Sequence, residues 1–233
     1  MRDNRLNLEI YLSSSILDSL GPDDVRRTAR LLDYRPSLSI HAPFMDLSPG
    51  AVDILVRDVT VRRFSHVLEI AEILSPRSVV FHSGYEKWKY ALRPDIWLEK
   101  SIQTWEPLRR RAESLGTMIA IENIFEDEPS NLLMLMETLG SPHFGICFDT
   151  GHCNLFSRVP LKAWMDALVS YIVELHLHDN NGSSDQHLPV GEGTFDFRTF
   201  FDLLGSRDCV ATIEAHSPDR VIRSLSNLVN YFK

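Results

Sequence analysis

The sequence has no run of about twenty consecutive apolar residues, the length that a membrane-spanning helix requires. It has only three cysteines in 233 residues, and their odd number and spacing argue against a disulfide framework. The first segment, MRDNRLNLEIYL, is too polar for a signal peptide. We therefore expect a cytoplasmic protein in a reducing compartment, with no membrane as partner.

Basic residues are also scarce. Lysine and arginine total 24 against 32 aspartates and glutamates, which gives a formal net charge of -8 with neutral histidines. A broad, non-specific nucleic-acid surface needs an excess of positive charge, so nucleic acid is disfavoured as a partner, although a local basic groove stays open. A pocket of carboxylates that binds cations would shift the charge balance in the same direction.

Seven short and nearly continuous apolar runs recur along the chain, and such runs are typical of strands covered on both faces. They are 6–12, 38–44, 78–84, 118–124, 144–152, 172–179 and 210–216. Amphipathic stretches with helical spacing lie between them. One of these stretches, 96–116, ends at Gly116, which is a typical helix C-cap residue.

The alternation of strand and helix predicts a parallel sheet with right-handed crossovers. A chain of 233 residues fits either a (β/α) barrel or an open doubly wound sheet. The first strand is not followed by a glycine-rich phosphate-binding sequence, which favours the barrel. The sequence therefore predicts a single α/β domain over 1–233, a TIM-like (β/α) barrel of seven or eight parallel strands.

Histidine or acidic residues occur at the ends of six successive predicted strands. In a (β/α) barrel these ends lie on one face, where active sites are built, and strand interiors are otherwise poor in such residues. Imidazole together with carboxylate is a ligand set for zinc, manganese, iron or cobalt. The residues at the strand ends are His41, His82, Glu122, Asp149, His152, His176, Asp179 and Glu214.

The loop after the sixth strand adds two residues of the same types, Asp185 and His187. They precede PVGEG (189–193), whose two glycines allow the loop to fold back over the barrel mouth. We therefore expect both side chains to join the cluster at the strand ends.

Three further polar residues near the strand ends receive other interpretations. His178 alternates with His176 along the sixth strand, so we expect it to face away from the cluster and to be structural. Asp179 is interpreted as a residue that orients a ligand imidazole. For His216 the sequence leaves two interpretations open, a position that lines the rim of the barrel and a structural role.

Taken together, these motifs resemble the xylose isomerase-like TIM barrels, a superfamily of endonuclease IV (AP endonuclease family 2) enzymes and sugar phosphate isomerases and epimerases. The motifs run in family order over about 175 residues. They are HAP (41–43), FHSG (81–84), IEN (121–123), FDTGH (148–152), HLHD (176–179), DQHLPVGEG (185–193) and IEAH (213–216). The run at 6–12 resembles the family's second strand, which implies that the family's first strand is missing or replaced.

The resemblance implies two alternative ligand sets. Endonuclease IV enzymes bind three zinc ions through nine ligands, and all nine matching positions have the family's residue type. These positions are His41, His82, Glu122, Asp149, His152, His176, Asp185, His187 and Glu214. Isomerases and epimerases typically bind one manganese, magnesium, cobalt or zinc ion at positions that match Glu122, Asp149, His176 and Glu214. Histidine at 187, where arginine is common in that branch, favours the multi-zinc pattern.

Two enzymatic functions follow from the resemblance, with a non-catalytic metal- or sugar-binding barrel as a weaker third. The first is a metal-dependent isomerase or epimerase of a small sugar or sugar phosphate, with Glu122 and Glu214 exchanging a proton. In this function His152 and His82 would orient oxygen atoms of the substrate. The second is a multi-zinc phosphoester hydrolase acting on abasic DNA or a small phosphodiester. Short rim loops and the acidic balance place the first slightly ahead.

The residue types at the strand ends also predict the cofactor. We expect one to three divalent cations per chain, with zinc favoured and manganese, magnesium and cobalt as alternatives. The expected partner is a small sugar or sugar phosphate. The oligomeric state is left open.

Overall fold

The computed structural model describes residues 5–232 and contains seven strands in that range. They are β1 (Leu8–Tyr11), β2 (Leu38–His41), β3 (Ser78–His82), β4 (Met118–Glu122), β5 (Phe144–Asp149), β6 (Ile172–Leu177) and β7 (Val210–Ile213). They follow one another in chain order within one sheet. The parallel registers place Tyr11 opposite His41, and Asp149 opposite His176. The predicted parallel α/β sheet is confirmed, with seven strands rather than eight in the described residues.

Nine α-helices alternate with these strands in the described residues. They are α1 (Ser14–Ser19), α2 (Pro22–Leu31), α3 (Ile54–Leu74), α4 (Pro94–Leu115), α5 (Ser130–Leu139), α6 (Thr150–Phe156), α7 (Leu161–Leu168), α8 (Phe197–Leu204) and α9 (Pro218–Leu228). Within residues 5–232, no helix has both the length and the apolar character that a membrane span needs.

The predicted strand over 144–152 is too long, because the chain turns into α6 after Asp149. The side chain of Asp149 accepts a hydrogen bond from the backbone N–H of His152 at 2.6 Å and so caps the helix. His152 therefore lies in the first turn of a helix and not at the end of a strand. Asp149 is therefore both the last residue of β5 and the N-cap of α6.

Helix α4 begins and ends with the residues that helix termini favour. Pro94 occupies its first turn, where the missing backbone N–H costs nothing. Gly116 follows its last residue with φ 69° and ψ 21°, in the left-handed region, and its N–H donates back to the helix. The predicted C-cap at Gly116 is confirmed.

The described chain forms two compact units, each with its own aromatic core. The first comprises the residues up to Ile121 together with Leu135–Gly145. In its core, Phe64 stacks on Trp105 with ring centroids 5.3 Å apart, and Phe81 packs against both rings. The fully buried rings withdraw a large apolar area from water, which is the main favourable term in folding.

The second unit comprises Glu122–Met134 and the residues from Ile146 onward. Phe148 of β5 stacks on Phe200 of α8 at 5.2 Å, and Trp164 of α7 meets Phe148 edge-on at 6.1 Å. These rings fix β5 beside the helices that follow it. The prediction that 1–233 is a single domain stays a prediction.

The left-handed cap of α4 leads to a stability prediction. Gly116→Ala should lower the free energy of unfolding by about 1 kcal/mol, because a Cβ atom is disfavoured at positive φ. The cause would be backbone strain alone, since nothing lies within 4 Å of the added carbon atom. Urea denaturation followed by circular dichroism measures the change.

The matched control is Gly116→Asn, because asparagine tolerates the left-handed conformation better than alanine. We expect it to lose less stability than the alanine variant. An alanine variant as stable as the parent protein, or an asparagine variant less stable than the alanine one, would contradict this explanation of the cap.

Candidate metal centre

Two of the nine predicted ligands lie in the first unit, at the ends of adjacent strands. His41 is the last residue of β2 and His82 the last residue of β3, and their ring centroids are 5.3 Å apart. Phe44 stacks on His82 at 4.2 Å and holds that ring in place. His41 Nδ1 lies 2.8 Å from the carbonyl oxygen of Ala42, to which it donates, so in the neutral ring Nε2 is the nitrogen that carries the lone pair.

The other seven predicted ligands lie in the second unit, and four of them meet around one atom. Glu122 and Asp149 are the last residues of β4 and β5, His176 lies in β6, and Glu214 directly follows β7. His176 Nδ1 is 3.4 Å from Glu122 Oε1, 3.8 Å from Asp149 Oδ2 and 3.1 Å from Glu214 Oε1. Three carboxylates therefore converge on one buried imidazole nitrogen.

The charged groups of this cluster shift one another's pKa values. Burial opposes the charged form of His152, but Asp149, Asp185 and Glu122 outweigh it and raise the pKa of His152 to about 12. Burial raises the pKa of Glu214. The nearby carboxylates of Asp149 and Glu122 raise this pKa further, whereas His176 lowers it. Both shifts share one cause, which is the crowding of carboxylates around the imidazoles and around one another.

The pKa of Asp149 moves the other way. Burial alone would raise it, but His152 and His178 beside the carboxylate bring the pKa below its ordinary value. Asp149 therefore stays ionised although it is fully buried. A buried, ionised carboxylate is a suitable ligand for a divalent cation.

Asn123 fixes the backbone of the strand end that carries Asp149. Its side-chain amide donates to the carbonyl oxygen of Asp149 at 3.0 Å, and its Oδ1 accepts from the N–H of Asp149 at 2.9 Å. The sequence pattern indicates no role for Asn123, although the residue belongs to the motif IEN. The paired hydrogen bonds identify it as support for Asp149.

His178 lies in the cluster, and the prediction that it faces away is wrong. Strand β6 ends at Leu177, so the alternation of side chains along a strand does not extend to His178. Its Nε2 lies 3.0 Å from Asp149 Oδ2. Thr150 Oγ1 donates to the carbonyl oxygen of His178 at 2.8 Å and holds its backbone.

The loop after β6 brings Asp185 and His187 to the cluster, as expected. Asp185 Oδ2 lies 3.1 Å from His187 Nε2 and 3.6 Å from His152 Nε2. The His187 ring lies between two other imidazoles, with centroids 4.0 Å from His178 and 4.7 Å from His216. His216, whose position the sequence left open, is therefore an exposed residue beside the cluster.

Asp179 holds the loop and not an imidazole, which corrects its predicted role. Its carboxylate accepts hydrogen bonds from the backbone N–H groups of Gly193 at 2.8 Å and Phe195 at 3.1 Å. A Cβ atom on Gly193 would lie 2.2 Å from the carbonyl oxygen of Asn180. Glycine at 193 therefore permits the close approach that brings the loop back to β6.

The geometry of the second unit fits a divalent cation. Single ligand atoms of Glu122, Asp149 and His176 lie within 4.8 Å of one another. Among the described residues, the buried Nδ1 atoms of His152, His178 and His187 have no hydrogen-bond partner. His152 Nδ1 is only 3.1 Å from Glu122 Oε1 without the alignment of a hydrogen bond. Imidazole nitrogens crowded among carboxylates in this way are typical of metal ligands.

The family model described as "Xylose isomerase-like TIM barrel" matches residues 8–230. The chain therefore belongs to the xylose isomerase-like TIM barrel family, and the predicted fold class and resemblance are confirmed.

Particular relatives can be named within that family. The chain is 29% identical over 231 residues to the uncharacterized protein MJ1311 of Methanocaldococcus jannaschii, covering 92% of this chain and 76% of that one. A solved D-tagatose 3-epimerase-like protein is 29% identical, with a TM-score of 0.83 and coverage of 96% and 87%. The TTHB071 protein of Thermus thermophilus, soaked with ZnCl2, is 28% identical, with a TM-score of 0.78 and the same coverage.

The close packing of α6 against His178 leads to a prediction. A Cβ atom on Gly151 would lie 2.0 Å from His178 Cε1 and 2.3 Å from Nδ1. Gly151→Ala should therefore push the imidazole away from Asp149 and lower the free energy of unfolding by about 1–3 kcal/mol. Alanine is otherwise favoured over glycine within a helix, so a loss of stability would report the clash.

The reference for this variant is the parent protein, because alanine at an unobstructed helical position should be at least as stable as glycine. Guanidinium denaturation of both proteins, with and without added ZnCl2, measures the stability and its dependence on the cation. If Gly151→Ala is as stable as the parent protein under both conditions, His178 is not fixed by this contact.

Proposed function

We propose that this protein is a divalent-cation-dependent isomerase or epimerase that moves a proton on a small sugar or sugar phosphate. The observation that carries the proposal is the convergence of three carboxylates within 4 Å of His176 Nδ1. This arrangement offers one cation four ligands and leaves carboxylate oxygens beside it for proton transfer. We place the reaction in the cytoplasm.

Glu122, Asp149, His176 and Glu214 are the residues that would hold the cation. When bound, a divalent cation polarises a carbonyl group and so acidifies the C–H bond on the neighbouring carbon atom. Zinc is favoured because imidazole and carboxylate are its usual ligands, and manganese, magnesium and cobalt are the alternatives.

The chain's own residues would move the proton. A carboxylate oxygen of Glu122 or Glu214 takes the proton from the carbon atom, and the electron pair of the broken C–H bond delocalises onto the adjacent carbonyl group. For an epimerase, the other glutamic acid returns a proton to the opposite face of the same carbon atom, which inverts it. For an isomerase, the proton is returned to the former carbonyl carbon, while the hydroxyl group on the first carbon atom passes its proton to the former carbonyl oxygen and becomes the new carbonyl group.

His152 would orient the substrate's oxygen atoms. It stands between the cluster and the loop, since Nδ1 lies 3.1 Å from Glu122 Oε1 and Nε2 lies 3.6 Å from Asp185 Oδ2. From there a ring nitrogen can donate a hydrogen bond to a hydroxyl or carbonyl oxygen. The sugar class is supported by the likeness to the D-tagatose 3-epimerase-like protein.

A second candidate function is a multi-zinc phosphoester hydrolase. Asp185 favours it, because Oδ2 lies within 3.6 Å of ring nitrogens of both His152 and His187 and so offers ligands for an additional ion. Two ions can activate a water molecule and stabilise a leaving oxygen. The likeness to a protein soaked with ZnCl2 is compatible with either function.

Incorporation of solvent deuterium tests proton transfer directly. The zinc- or manganese-loaded protein is incubated in D2O with a panel of ketoses and ketose phosphates, and NMR measures deuterium at the carbon atom beside the carbonyl group. We expect exchange and conversion for at least one sugar. Exchange with none of them, together with hydrolysis of abasic DNA or bis(p-nitrophenyl) phosphate, would replace the first candidate with the second.

Glu214→Gln is the variant that tests the proton-transfer role. It should lower kcat by about 10²–10⁴-fold, because an amide cannot accept or return the proton. Circular dichroism should show an unchanged fold. The matched control is Glu137→Gln on the exposed surface of α5, which should keep the parent kcat. Full turnover by Glu214→Gln would remove Glu214 from the mechanism.

The cation content per chain separates the two candidates independently of the substrate. Elemental analysis of protein purified without chelator should find one divalent cation for the isomerase, and two or three zinc ions for the hydrolase. Asp185→Ala should leave the content at one ion in the first case and remove an ion in the second. Protein that neither contains nor takes up a cation would contradict both.

A further inference from the structure

His187 has a backbone conformation that residues with a side chain rarely adopt. Its φ angle is 45°, in the left-handed region where Cβ comes too close to the backbone. Residues held in this conformation cluster at active sites and ligand clamps, where the surrounding structure keeps them in place. The contacts on the backbone around His187 therefore show what keeps this residue in the left-handed conformation.

The side chain of Arg220 provides such contacts. Its Nη1 donates to the carbonyl oxygen of Gln186 at 2.8 Å and to that of His187 at 2.9 Å. These carbonyl groups belong to the two peptide units on either side of the His187 Cα atom. A charged donor makes stronger hydrogen bonds than a neutral one, so the guanidinium fixes both units.

The neighbouring elements hold Arg220 itself. It lies in the first turn of α9, and its backbone N–H donates to the capping hydroxyl of Ser217. Beyond His187, Leu188 exchanges two backbone hydrogen bonds with Asp179, at 2.9 and 2.8 Å. The chain at His187 is thus held by α9 on one side and by Asp179, which follows β6, on the other.

The consequence of this anchoring is a fixed imidazole. The His187 ring lies nearly parallel to the His178 ring, at an interplanar angle of 5°, and points Nε2 at Asp185 Oδ2. A change in the backbone at 187 would swing the ring out of this stack. The position of the ring therefore depends on the guanidinium, which reaches the site only through main-chain carbonyl groups.

We propose that Arg220 is a positioning residue for the reaction, which acts by holding His187 in place beside Asp185. The inference rests on the proposed function, since it takes the cluster around His176 as the reacting site. His187 borders that site, because its Nδ1 lies 3.5 Å from Oε2 of Glu214, one of the two glutamates proposed to move the proton. It adds to that function a residue of α9 outside the nine predicted ligands.

Arg220→Met is the first test, because methionine keeps an unbranched stem and removes every donor. We expect kcat to fall by about 10- to 100-fold with an unchanged cation content, since a displacement of about 1 Å at a site costs this much. Arg220→Lys, which keeps a charged donor, should recover part of the loss. The matched control is Arg198→Met on α8, where the arginine donates to the carbonyl oxygen of Asn230; it should keep the parent kcat.

A double-mutant cycle separates positioning from general stability. If Arg220 acts through His187, the variant with His187→Ala and Arg220→Met should have the kcat of His187→Ala alone. A merely structural arginine would lower kcat further in the double variant. Additive losses would therefore overturn the positioning role.

Hydrogen exchange tests, without any substrate, whether the two hydrogen bonds from Arg220 hold the backbone around His187. In Arg220→Met, the amide of Leu188 should exchange faster than in the parent protein, and in Arg198→Met it should not. Unchanged exchange in Arg220→Met would contradict the proposal that Arg220 holds the backbone around His187. A parent protein without sugar turnover would contradict the proposed function instead, and the cycle would then be measured on phosphodiester hydrolysis.

Discussion

The burial of several carboxylates in one place is the constraint on which the second unit depends. Charged groups withdrawn from water are costly unless opposite charge and hydrogen bonds compensate them, and like charges side by side increase that cost. In this protein the compensation comes from imidazoles, since His152, His176 and His178 all lie within 4 Å of a carboxylate oxygen. The arrangement is stable only with positive charge among the acids, and the imidazoles are the groups of this unit that can carry it.

The backbone around this cluster serves two purposes at once. Asp149 ends β5, caps α6 through Oδ1 and faces His178 through Oδ2, so one side chain sets both the direction of a helix and the shape of the site. Asn123 ties the neighbouring strand end to Asp149 through two hydrogen bonds. Because these contacts are shared, the fold of the unit and the geometry of its candidate site cannot vary independently.

Most of the strands, and the residue types of the candidate site, could be predicted from the sequence. Buried parallel strands leave continuous apolar runs, and histidine or acidic residues after such runs have few structural explanations. The position of His178 could not be predicted, because a run of apolar residues does not show that β6 ends at Leu177. Arg220 lies 33 residues from His187 and contacts main-chain atoms, and such contacts leave no pattern in side-chain types.

The loop between β6 and α8 is closed at its base by its own hydrogen bonds. The carboxylate of Asp179 accepts from two later backbone N–H groups, and the carbonyl oxygen of Asn180 accepts from the N–H of Thr194. The exposed tip at 181–184 lies outside this closure. Insertions or exchanges at the tip should therefore leave the base intact, and the tip is the part of this loop that evolution or protein engineering can change while the scaffold stays the same.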